Sequence, residues 1–171
     1  MTNRRAFLRG ASVLLGSASL GSVMTAFAAA PRKPNFFSAA ELATVRALVD
    51  LILPATDSPA ASAADTHYFI DLALPACATP AAQKTFRAGL QTFGGFDALS
   101  ADKQVAMLKA RAEKDVALEY DASFFKILKD YTLTGYFLSE VGATQALAYE
   151  RVPGGYQGDL PLAPNQKAWA I

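Results

Sequence analysis

From residue 36 onward, apolar side chains recur every three or four positions in separate blocks, the spacing of helices that bury one face. Leu42, Val45, Val49 and Ile52 share one face of the first block, with Arg46 and Asp50 on the other. Ser38 and Glu41 have capping-box spacing, Phe37 stands where it can staple onto Leu42, and Pro54 ends the block. A loop of small residues over 55–64 leads to a short helix expected near 65–74. Thr79 is placed to cap a third helix with Pro80 at its first position, Phe86, Leu90 and Phe93 as its buried stripe and Gly94-Gly95 as its stop. Ser100 is expected to cap a fourth, in which Val105, Leu108 and Ala112 share a face. Asp121 is expected to cap the fifth and longest, through Phe124, Leu128, Tyr131, Gly135 and Leu138. No segment alternates with the period of a strand. The expected class is all-α, a small bundle of about five helices.

Two regions depart from the amphipathic pattern. Residues 133–138 are apolar almost all round, and such a helix end is buried on every side. It either sits centrally in its own bundle or packs between that bundle and a second protein. In the second case Gly135 would allow close backbone approach, with Tyr131, Tyr136 and Phe137 as aromatic anchors. Residues 149–171 lose periodicity altogether. Pro153, Pro161, Pro164, Gly154, Gly155 and Gly158 oppose helix, while Tyr149, Tyr156 and the single Trp169 favour burial against something. This reads as an extended arm, laid on its own bundle or clamped on a partner.

Ahead of the bundle, residues 1–30 have the build of an export signal. A basic start containing Arg4, Arg5 and Arg9 precedes an apolar stretch over 11–30, and Ala26-Phe27-Ala28 supplies a small-x-small cleavage pattern. Adjacent arginines followed by x-Phe7-Leu8 resemble a twin-arginine (Tat) signal, a receptor-read address. The stretch is diluted by serines and glycines, which suits that pathway better than a permanent span, although its length could just cross a bilayer. Removing 1–30 would take three of the 16 basic residues and none of the 15 acidic ones, turning a net +1 into about −2. A faintly acidic chain is a poor match for nucleic acid.

Composition excludes much of the usual chemistry. The chain of 171 residues is 52% hydrophobic and 18% charged, with one Cys and one His. A CxxCH haem site, a Cys-ligated cluster or a Cys/His zinc site needs more ligands than that. A hydrolytic triad would have to use His67, and no GxSxG elbow exists outside the leader. Residues 154–158 look superficially like a phosphate loop but follow no strand and open no helix, so they read as a turn. Glu113, Asp115, Glu119 and Asp121 read as a solvated helix junction rather than a cation site. For Cys77, a buried inert thiol is the default; an interchain disulfide and a reactive thiol are the alternatives. No catalytic, cofactor-binding or metal-binding residue is expected.

A family resemblance appears at the fifth block. Phe124-Phe125-x-x-Leu128-Lys129-x-x-Thr132-Leu133-x-Gly135-Tyr136-Phe137-x-Ser139-Glu140-x-Gly142 resembles the signature of the gluconate 2-dehydrogenase subunit 3 family. Tyr149 with Pro153-Gly154-Gly155-Tyr156-x-Gly158-Asp159-x-Pro161, and Asp50-x-Ile52-x-Pro54-Ala55-Thr56 near the front, are similar to it too. The resemblance implies a Tat leader over 1–30 and one helical domain over 31–171, its arm at 149–171. It further implies a small, non-catalytic, cofactor-free subunit of a periplasmic FAD-dependent dehydrogenase for gluconate, another sugar or a polyol. In such complexes a large flavoprotein of the glucose–methanol–choline type carries the FAD, and a multihaem cytochrome c subunit often takes the electrons. The small subunit carries the address that the Tat translocase reads, takes the signal-less flavoprotein across, and associates with the membrane through its partners. The expected partner surface is Tyr131, Gly135, Tyr136, Phe137, Ser139, Glu140, Gly142, Tyr149, Pro153, Gly154, Tyr156 and Trp169. Two other readings stay open: a free-standing periplasmic helical binding module, and a hydrolase using His67.

Overall fold

The capping chemistry at the front of the chain fixes the first helix. Ser38 Oγ accepts the Glu41 N–H, the Glu41 carboxylate accepts the Ser38 N–H, and α1 runs Ala39–Ile52 until Leu53 and Pro54 stop it. Four more helices follow: α2, Thr66–Cys77; α3, Pro80–Gln91; α4, Ala101–Asp115; and α5, Phe124–Phe137. Short 3₁₀ turns at Ala61–Ala64, Phe96–Ala98 and Tyr120–Ala122 and a π turn at Gly142–Ala146 fill the connections. This computed structural model describes residues 33–150, 152, 154, 155, 159, 161 and 163–170. The leader with Arg4, Arg5, Phe7 and Leu8 lies outside the described residues, as do Pro153 and Tyr156. Among the described residues there is no strand, only a single bridge between Ala148 and Trp169, and no helix long and apolar enough to cross a membrane. The all-α class with about five helices holds.

Helix α5 is the axis of the bundle and packs against all four of the others. That centrality is why its sequence is so apolar: Phe124, Ile127 and Leu128 are fully buried beside Val45, Ile70 and Leu74. A run of phenylalanine rings ties the elements together. Phe37, Phe86, Phe124, Phe93 and Phe96 follow one another at centroid distances of 5.7, 5.0, 5.5 and 5.4 Å, the spacing of favourable aromatic pairs.

Several expectations are corrected. Helix α5 is capped by Ser123, whose Oγ accepts the Lys126 N–H at 3.1 Å; Asp121 instead accepts the Thr79 hydroxyl at 2.7 Å. Asp115 is no part of a solvated junction. It is buried, pairs with Arg111 at 3.0 Å and accepts the Phe125 N–H at 2.9 Å, so the end of α4 closes the start of α5. Among the described residues the longest helix is α4, with 15 residues against 14 for α5. Helix α2 runs on through Pro75 to Cys77, and the Gln83 amide takes the carbonyls of Pro75 and Ala78 at its end. The Cys77 thiol is therefore exposed at a helix terminus, not buried. Ser100 occupies the cap position of α4 with extended backbone, but its side chain makes no capping bond.

Candidate partner interface

The second half of α5 turns much of its signature inward. Gly135 faces the Phe69 ring of α2 so closely that a Cβ there would stand 2.5 Å from a ring carbon. Tyr136 is 2% exposed, and its hydroxyl donates to the Pro59 carbonyl at 2.7 Å. That bond pins the loop after α1 from one side. Asp50 pins it from the other by accepting the Ser62 N–H at 2.7 Å. Two residues of the family signature, far apart in sequence, thus hold one loop.

Beyond α5 the chain folds back on itself. Ser139 Oγ donates to the Tyr136 carbonyl at 2.6 Å and accepts the Gly142 N–H at 3.0 Å. A Cβ on Gly142 would lie 2.0 Å from that same carbonyl oxygen, so only glycine fits the reversal. Gly135, Tyr136 and Gly142 are therefore accounted for within the chain, and their burial needs no partner. Tyr131 and Phe137 are half-buried, the latter edge-on to Tyr136 at 5.2 Å. Burial first, and then the neighbouring Cys77 thiol and Asp130, push the Tyr131 hydroxyl above the ordinary phenol range. Leu138, expected inside, is 71% exposed because α5 ends one residue earlier and leaves it on the rim.

What the structure leaves outward includes most described residues of the arm. The Ala148 N–H donates to the Ala168 carbonyl at 2.8 Å and the Ala170 N–H to the Ala148 carbonyl at 2.9 Å, a one-rung clasp. Lys167 Nζ adds a bond to the Gln145 carbonyl at 2.6 Å. The returning end of the chain is thus tied to its own bundle, while the side chains flanking the clasp face solvent. Tyr149 and Trp169 are 57% and 56% exposed, and Val152 more so. Glu140 and Gly154 are also on the surface. Aromatics held by a backbone clasp lose little freedom on binding, which makes them effective anchors.

His67 is buried on α2 against the Tyr68 ring, 4.4 Å between centroids. Among the described residues no group of three His, Cys, Asp or Glu side chains is placed to hold a metal ion.

One anchoring residue escaped the sequence reading. Asp71, 3% exposed on α2, accepts the backbone N–H groups of Asn35, Phe36 and Phe37 at 2.5, 2.9 and 2.8 Å. It fastens the segment that leads into α1. The available signal was an acidic residue in the buried stripe of a helix, between His67 and Leu74, where an unpaired carboxylate would be costly.

The family model described as gluconate 2-dehydrogenase subunit 3 matches residues 39–154, from the first residue of α1 into the arm. No curated protein matches the chain. No solved structure does either.

Proposed function

The chain belongs to the gluconate 2-dehydrogenase subunit 3 family, which makes it a small subunit of a dehydrogenase complex, and we propose that it serves there as the export escort and stabiliser of a flavoprotein. The partner in this reading is a large FAD-bearing dehydrogenase of the glucose–methanol–choline type, acting on gluconate, another sugar or a polyol in the periplasm. A cytochrome c subunit is the third member in the fuller form of the assembly. The small chain contributes no cofactor; it contributes a surface and an address.

The observation that carries the proposal is the exposed pair Tyr149 and Trp169, held on either side of the clasp at Ala148. A surface of this kind suits protein contact, and the twin arginines Arg4 and Arg5 with Phe7 and Leu8 suit an address for a cargo folded before export. Binding the folded flavoprotein stabilises it by mass action and couples its transit to that address. The buried His67 argues against the hydrolase, because a general base has to reach its substrate.

The test is co-expression with an FAD-bearing dehydrogenase of the proposed class, reading flavin and dehydrogenase activity in the periplasm. Changing Arg4 and Arg5 to Lys is expected to leave the flavoprotein in the cytoplasm, and unchanged export would refute the escort role. Changing Tyr149 and Trp169 to Ala is expected to reduce co-purification with the chain still folded.

A further inference from the structure

A second surface lies away from the arm, in the trough where α4 crosses the first half of α5. Two cavities of about 280 and 510 Å³ open there and share Ala112, Phe125 and Lys129 in their walls, so they form one continuous groove. Its floor is apolar, with Val105 and Val116 exposed at its two ends, 38% and 71%. Helix α4 buries only Leu108 and Asp115 of its 15 residues, whereas α5 buries six of 14. Leu108 and Ala112 line the groove between the two valines, and along a helix Val105 and Val116 stand roughly 16 Å apart. That is about three turns of helix, too long for a compact small molecule and well matched to a helix laid lengthwise.

The rim states the charge of the occupant. Lys109 and Lys129 border one cavity, Lys126 and Lys129 the other; of the two acidic wall residues, Glu113 and Asp115, the second is neutralised by Arg111. Lys126 Nζ is tied to the Leu118 carbonyl, which keeps its charge at the groove's end. A chain that is net acidic without its leader thus carries a local basic edge over an apolar floor. Among the described residues of the arm, the large exposed side chains Tyr149, Val152 and Trp169 supply on the order of 300 Å², against about 800 Å² per partner in a stable complex, so a second surface adds to what they offer.

We propose that the α4–α5 groove receives an acidic amphipathic helix of the flavoprotein partner, its apolar side on Val105, Ala112, Val116 and Phe125 and its carboxylates on Lys109 and Lys129. This rests on the subunit reading above, and the experiment separates the two. The isolated complex is treated with a carbodiimide, which joins lysine amines to carboxylates in contact, and the joined peptides are mapped by mass spectrometry. In parallel, Lys109→Glu/Lys129→Glu, two exposed changes that leave the core intact, is compared with the unchanged chain for flavoprotein retained at about 0.15 M salt. The expected result is links from Lys109 and Lys129 to flavoprotein Asp or Glu residues three or four positions apart, with retention lowered about tenfold. If the unchanged chain retains the flavoprotein and the double variant does so equally, the groove assignment fails while the subunit reading stands. Links from these lysines only to a second copy of this chain overturn the assignment in favour of self-association. If the unchanged chain retains no flavoprotein, the subunit reading itself fails and the groove assignment with it.

Discussion

Replacing Asp71 tests whether one carboxylate organises the entry to the bundle. It accepts three backbone N–H groups, of which only that of Phe37 is fully buried; those of Asn35 and Phe36 are partly open to water. In Asp71→Ala the Phe37 N–H loses its partner without solvent to replace it, at about 1–3 kcal/mol. The two outer groups regain water and lose roughly 0.5–1 kcal/mol each, for a total near 3 kcal/mol. In Asp71→Asn one oxygen can still serve Phe36 and Phe37, but the amide NH₂ faces the Asn35 N–H, donor against donor. Its expected cost is about 1–2 kcal/mol. Urea denaturation followed by far-UV circular dichroism measures both, and the alanine variant should melt roughly 10 °C lower. Because Ser38 and Glu41 sit just past the pinned segment, Ser38→Ala should cost less in the Asp71→Ala background than its usual ~1 kcal/mol, the cap being already loosened. A loss below about 0.5 kcal/mol in Asp71→Ala would show that the segment is held by its phenylalanines instead, and the reasoning would be wrong.

Gly135→Ala should destabilise the chain by about 1–3 kcal/mol through its clash with Phe69, and Phe69→Leu should recover part of that in the double variant; simple additivity in thermal melts would argue against the contact. Asp115→Asn should cost about 2–4 kcal/mol, because Arg111 loses its ion pair while the start of α5 loses its carboxylate, and equilibrium denaturation at neutral pH reads it. The Ser38 backbone N–H holds the Glu41 carboxyl below its ordinary value of 4.5, so its stabilisation is full above that pH and fades as pH falls through the lowered value. As the Ser38–Glu41 bond is open to water, Glu41→Gln should differ from the unchanged chain by less than ~1 kcal/mol at pH 7, and the difference should vanish in acid when urea midpoints are compared across the range.

How much of this could be read from the sequence follows from the range of each interaction. The Ser38–Glu41 box and the Thr79–Pro80 start were legible because donor and acceptor lie within three residues of each other. Asp71 was not, since its partners are 34 to 36 residues away and no local pattern joins them. The cap of α5 shows the same limit. Asp121 and Ser123 are both good capping residues two positions apart, and the choice falls to tertiary partners: Thr79 draws Asp121 away, while buried Asp115 receives the Ser123 hydroxyl. Within the expected interface, residue type does not decide exposure. Tyr136 and Tyr149 carry the same side chain, yet one is buried by the central position of α5 and the other is left outside by the clasp at Ala148.

The division between those two tyrosines bears on what the family signature records. In α5 and the reversal after it, Gly135, Tyr136, Ser139 and Gly142 are engaged with Phe69, Pro59 and one another, and Asp50 holds the same loop that Tyr136 holds. A chain can keep all of these to keep its fold, whatever it binds. The features that can distinguish one partner from another lie elsewhere, in the basic edge of the α4–α5 groove and in the aromatics beside the clasp. The groove meets α5 at Phe125, the π turn that leads to the clasp follows its other end, and Phe125 and Phe137 are roughly 18 Å apart along its axis. In a partner that engages both, each contact raises the effective concentration of the other. Removing either surface alone should therefore cost more than that surface's own contact, because the remaining contact no longer holds the other end in place, and the two single losses should sum to more than the loss of both.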